Sequence, residues 1–213
     1  MYNRLESTRN DKVAQKVIKG LDSRNMQGFY VKTKEEALAK AMELIEEGSS
    51  IGWGGSASIE QIGLKKALEA GEYTLIDRDK AKSIEEKEKI VRECFSADYF
   101  LTSTNAISED GILVNIDGNS NRVAAICFGP KKVIMIVGMN KVCKTEADAM
   151  SRARNTAAPI NAQRFPIKTP CKETGSCANC LSKDTICCQF VTTRFSRHTD
   201  RIYVILVDEN LGF

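Results

Sequence analysis

Ser49-Ser50-Ile51-Gly52-Trp53-Gly54-Gly55-Ser56 carries a short apolar strand into a glycine turn, and Ile59, Ile62, Leu64 and Leu68 then follow helical spacing up to a stop at Gly71. The order is strand, turn, helix. Upstream, Val13, Val17, Ile18 and Leu21 predict an amphipathic helix over 10–21, and Gly28 to Val31 reads as a strand. Thr33 with Glu36 forms a capping-box signature for a helix carrying Ala37, Leu38, Ala41, Met42 and Ile45, ended by Gly48. Downstream, Tyr73 to Asp77 is a strand, Ser83 and Glu86 cap a charged helix reaching about Cys94, and Ala97 to Thr102 is another apolar strand. Strict alternation of this kind predicts an α/β fold: a mostly parallel sheet flanked by helices.

Beyond Asp110-Gly111 the texture changes. Ile112 to Ile116, Val123 to Phe128 and Val133 to Val137 read as closely spaced strands separated by turns at Asp117-Gly118-Asn119 and Gly129-Pro130. Thr145 caps a helix to about Thr156, with Arg152 and Arg154 favourably placed near its end. Pro159, Pro166 and Pro170 break up the stretch after that helix, and Arg201 to Asp208 closes the chain as a buried strand. An apolar terminal strand needs a sheet to enter. Residues 1–213 are therefore read as one domain, with 167–190 as a cysteine-rich insertion before the last strand.

Composition narrows the function classes. At 42% hydrophobic and 28% charged, with 4 prolines in 213 residues, the chain is an ordinary globular protein. Thirty-one Lys and Arg against 28 Asp and Glu leave a net charge of +3, too little for a protein built to neutralise a nucleic-acid backbone. No apolar run reaches the roughly 18 residues of a membrane span, and the polar start MYNRLESTRNDK is unlike a secretory leader, so a cytoplasmic protein is expected.

Glycines between a strand and a helix let backbone N–H groups approach an anion, which makes Gly52, Gly54, Gly55 and Ser56 candidate ligand-binding residues. A tight turn that merely needs small residues is the plainer account. No Gly-Lys-Ser/Thr follows, which excludes a Walker A loop. Gly52-x-Gly54-x-x-Ala57, with Asp77 at the end of the next strand, satisfies a loose dinucleotide fingerprint and keeps an NAD-dependent oxidoreductase as an alternative, although Trp53 inside the turn counts against it.

The second candidate region follows the strand ending near Leu101. Thr104, Asn105 and Asn115 offer hydroxyl and amide groups to a ligand's oxygens, and Arg122 offers the guanidinium that grips carboxylate or phosphate. Turn chemistry alone also favours such residues. Glu109 is the carboxylate available as general base or nucleophile, so the catalytic candidates are Glu109 and Arg122. The partner expected is a small anionic metabolite.

Five of the 8 cysteines fall between positions 171 and 188, and in a cytoplasmic protein thiols or metal ligands are expected before disulfides. Cys171, Cys177, Cys180 and Cys187 offer four thiolates, with Cys188 as a spare, which satisfies either tetrahedral zinc or a [4Fe–4S] cluster. The single Cys-x2-Cys hook with outlying partners suits a cluster better than a zinc ribbon; free thiols remain the alternative. Cys94 and Cys127 read as core thiols. His198, the only histidine, excludes any multi-histidine metal site.

Thr104-Asn105-Ala106-Ile107-Ser108-Glu109-Asp110-Gly111-Ile112-Leu113-Val114-Asn115-Ile116-Asp117-Gly118, continuing through Asn121-Arg122-Val123 and Phe128-Gly129-Pro130-Lys131-Lys132-Val133, resembles the central motif of the LUD-domain, or lactate-utilisation, family. The glycine turn resembles that family's early loop. The resemblance implies a fold like that of ribose-5-phosphate isomerase, glucosamine-6-phosphate deaminase and the CoA transferases. It also implies a part in lactate-type organic-acid oxidation beside iron–sulfur partner subunits, and it leaves room for a homo-oligomer. The cysteine segment departs from the short lactate-utilisation subunit. A non-enzymatic metabolite sensor with a structural zinc is the alternative function.

Overall fold

The structure is a computed structural model and describes residues 2–213. Its main sheet has six parallel strands, β1 (Gln27–Val31), β2 (Ser50–Trp53), β3 (Thr74–Ile76), β4 (Tyr99–Thr102), β7 (Lys132–Gly138) and β10 (Ile202–Val207), in the order β1-β10-β7-β4-β2-β3. A smaller sheet, β8-β5-β6-β9, is built from β5 (Ala106–Ser108), β6 (Leu113–Asp117), β8 (Val142–Cys143) and β9 (Gln189–Thr193).

Both faces of the main sheet are covered, and this explains why its central strands are apolar throughout instead of alternating. On one face Val133, Met135 and Val137 of β7 and Val204 and Leu206 of β10 pack with Val13, Val17 and Leu21 of α1 (Tyr2–Ser23). On the other, Ile134, Ile136, Ile205 and Val207 pack with Ala37 and Ala41 of α2 (Lys34–Leu44) and with residues of α3 (Ala57–Gln61) and α4 (Leu64–Glu69). Thr33 caps α2 by accepting from the Glu36 N–H, and Ser83 does the same from Glu86 for α5 (Ile84–Glu93).

The α/β arrangement is as the alternation predicts, while four details differ. Residues 59–68 form two short helices, because Gly63 at φ +73 turns the chain between them. Val123 to Phe128 is not a strand: Val123 to Cys127 belong to α6 (Asn121–Cys127), and Phe128 is its C-cap. A short apolar run fits either state, and here the Asp117 carboxylate accepts from the Val123 N–H at 3.2 Å and so holds the first turn of the helix. Cys127, at the last position of α6, is exposed instead of buried, whereas Cys94 is buried as expected. Finally, α7 (Glu146–Arg152) does not stop near Thr156: a π-turn over Ala153–Ala157 leads into α8 (Ala158–Ala162), with Pro159 in its first turn, where a missing N–H is tolerated.

The terminal strand enters the sheet interior, between β1 and β7. Helix α1 in turn meets the β5–β6 turn with no side chain between: a β-carbon on Gly111 would lie 2.5 Å from the Leu21 nitrogen, and one on Gly20 would lie 2.3 Å from the Asp110 carbonyl carbon. Gly111 also has φ +86, so glycine is needed there twice over.

Candidate functional site

Strands β7, β4 and β2 are neighbours, and their carboxyl ends open into three short segments: Gly138 to Lys141, Ser103 to Asn105, and Gly54 to Ser56. In parallel sheets this edge is where ligands bind. Two cations are built into it.

The first is Arg122 on α6, which is largely buried. Its Nη1 donates to the Asn115 Oδ1 at 2.7 Å and the Ser103 carbonyl at 3.2 Å, and its Nη2 to the Asn105 Oδ1 at 2.9 Å and the Ile116 carbonyl at 2.7 Å. Asp117 stands 3.6 Å from Nε. Burial lowers the basicity of this guanidinium and Asp117 opposes that effect, yet arginine stays charged. The sequence-predicted residues Asn105, Asn115 and Arg122 are thus brought together in one network. Within it Arg122 braces the loops, its four terminal hydrogen bonds going to the protein. A β-carbon on Gly54 would stand 3.1 Å from its Cδ, so the glycine turn and the Asn-rich region converge.

The second cation is Lys141, which the sequence did not mark. Its side chain is 3% exposed and donates to the Ser58 Oγ at 3.1 Å and the Ser103 Oγ at 3.0 Å. Ser103 passes its own proton to the Ile136 carbonyl at 2.6 Å and so can only accept from the amine. Among the described residues no carboxylate lies within 4.0 Å of Lys141 or of Arg152, whose Nη1 and Nε donate to the carbonyls of Asn105 and Asn140. Burial, then the charges of Arg152 and Arg122, push the Lys141 amine down to about 7.

Four buried side-chain polar atoms among the described residues lack a hydrogen-bond partner within the protein: Trp53 Nε1, Ser56 Oγ, Arg78 Nε and Asn115 Nδ2. Trp53 and Ser56 belong to the glycine turn. The Arg78 Nη2 would be 3.1 Å from a β-carbon on Gly55, and Asn115 joins Gly54 through Arg122. Unpaired buried polar groups are costly, and here they gather around one turn.

The remaining candidates are placed differently. Gly52 makes room for packing, since a β-carbon there would meet the Cys94 Sγ at 2.6 Å. Thr104 is buried, its hydroxyl within hydrogen-bond distance of the carbonyls of Ala106 and Val114. Glu109 lies past the far end of β5 from Asn105, paired with Lys144 at 2.8 Å and Lys16 at 3.6 Å; the Lys144 bond above all holds its carboxyl below the usual range, which makes it a weak base. Of the dinucleotide fingerprint, Ala57 opens a helix of 5 residues, and the Asp77 carboxylate accepts from the Asp79 N–H at 2.9 Å.

Cys171, Cys177, Cys180 and Cys187 line one cavity of about 90 Å³, together with Arg154, Ala158, Asn179 and Phe190. Cys188 is exposed and is not part of that lining. A groove of about 790 Å³ elsewhere is bordered by Arg194, Arg197, His198 and Arg201, and Arg201 donates into it to the last carbonyls of α6, those of Ile126 and Ala125. No described helix is long and apolar enough to cross a membrane.

Comparison with curated proteins gives no match. Among solved structures the chain is similar to the crystal structure of a DUF162 family protein from Deinococcus radiodurans, at 14% identity and a TM-score of 0.54, over 93% of this chain and 98% of that one; the likeness is one of fold. The LUD domain matches residues 14–207, nearly the whole length over which the strands and loops above are laid out, and the chain belongs to the LUD-domain family.

Proposed function

We propose that this LUD-domain protein binds a small organic anion of the lactate or pyruvate kind over the carboxyl ends of β2, β4 and β7, and that it serves in organic-acid oxidation. The observation that carries this reading is the buried amine of Lys141, held between two serine hydroxyls, which feels the charges of Arg152 and Arg122 and has no carboxylate within 4.0 Å among the described residues. A cation buried without a counterion is unfavourable by itself, and a carboxylate guest would supply the missing charge. The unpaired atoms of Ser56, Asn115 and Trp53 add three kinds of donor, hydroxyl, amide and indole N–H, suited to a carboxylate and a neighbouring hydroxyl or carbonyl oxygen.

The test is a thermal-shift series with lactate, pyruvate and related 2-hydroxy and 2-oxo acids, joined to mass spectrometry of material that copurifies. A member of this class should raise the melting temperature with a dissociation constant in the micromolar to millimolar range, and Lys141→Met should abolish the shift. If none of these acids stabilises the wild-type protein and none copurifies, the reading fails.

A further inference from the structure

The segment between α9 (Pro170–Thr174) and β9 is 14 residues long and holds no helix or strand. Loops of this length without structure of their own are uncommon in compact domains and usually have a function. It is tied to the body by single hydrogen bonds: the Lys168 N–H donates to Asp184 at 2.9 Å, Ser182 Oγ to the Lys168 carbonyl at 3.1 Å, Arg154 to the Asn179 Oδ1, and the Cys188 N–H to the Asp117 carbonyl at 2.9 Å, while Leu181 is 99% exposed. Its course is bent by two left-handed residues. Gly175 at φ +75 reverses the chain after Cys171, and Asn179 at φ +50 bends it inside Cys177-x-x-Cys180. Both turns bring cysteines to the same cavity.

That cavity is ringed by four of the five clustered thiols. Among the described residues no three His, Cys, Asp or Glu side chains converge closely enough to hold a single ion. The space of about 90 Å³ is several times the ~10–15 Å³ that one water needs. A polynuclear guest matches both facts, because each thiolate then takes a separate corner instead of sharing one atom. Arg154, whose guanidinium lines the cavity and lies over the Phe190 ring at 5.5 Å, provides positive charge beside a centre that four thiolates make anionic.

We infer that Cys171, Cys177, Cys180 and Cys187 ligate a [4Fe–4S] cluster in this cavity, with Cys188 left outside the ligand set. Binding releases the thiol protons and ties the 175–188 loop to α9 and β9, so the cluster supplies folding energy the loop otherwise lacks.

The whole chain, purified anaerobically and supplied with equal amounts of ferrous and ferric iron and with sulfide, should take up about four iron and four sulfide per molecule and show a broad band at about 400 nm. Cys188→Ser should retain the band and the iron. Cys177→Ser and Cys180→Ser should each lose most of both, while far-ultraviolet circular dichroism confirms that the α/β body stays folded. A wild-type chain that takes up one zinc and no sulfide overturns the inference, as does one whose thiols all react freely after reconstitution, or a Cys188→Ser variant that loses the cluster as the others do.

Discussion

Gly54 lies against the stem of Arg122, 3.1 Å from its Cδ when a β-carbon is added to the glycine. The arginine has little freedom to retreat, since both its terminal nitrogens are tied to four acceptors. Gly54→Ala should therefore destabilise the protein by about 1–3 kcal/mol, the usual cost of overpacking, measurable as a lower urea midpoint. An unchanged midpoint would mean that the two loops are not in contact.

Removing Arg122 strands the acceptors it satisfies, among them the carbonyls of Ser103 and Ile116. Arg122→Ala should cost about 3 kcal/mol or more, and Arg122→Lys should recover only part of that loss because an ammonium cannot span the fork. Equal stabilities for the two variants in denaturant titrations would contradict a bracing role.

Lys141 gives a pH signature in the free protein. Its ordinary value is 10.5 and its folded value about 7, so between these limits the unfolded chain holds the extra proton. Stability should accordingly rise as pH increases from about 7 towards 10.5, by at most about 1.4 kcal/mol per unit, and level off outside that window. Lys141→Met should remove this slope and should be more stable than wild type at pH 7. Parallel pH–stability curves for the two proteins would count against it.

Anion binding should follow the opposite trend. A carboxylate guest favours the charged amine, so its affinity should fall as pH rises above about 7, by up to tenfold per unit, with proton uptake detected by calorimetry in buffers of different ionisation enthalpy. A pH-independent dissociation constant between pH 6 and 9 would place the guest away from Lys141.

Much of this was legible in the sequence, for definite reasons. The run Val133 to Val137 is apolar at every position because both sheet faces are covered, and Gly54 is readable as a turn residue at a strand tip. Helix α6 was not legible, since what separates it from a strand is a bond from Val123 back to Asp117. Lys141 escaped notice because lysine is ordinarily a surface residue; only the packing of Ser58, Ser103 and Gly212 around it reveals the buried amine. The role of Arg122 as a brace also needed its partners' positions.

The place of β10 bears on how the chain is made. Its neighbours on either side are β1, from the first thirty or so residues, and β7, from the middle. Until the ribosome has emitted residue 207, β1 has no strand to pair with and β7 presents an open apolar edge, so the nascent polypeptide must keep two incomplete sheet fragments apart from other chains. The main sheet therefore closes only once β10 has been made.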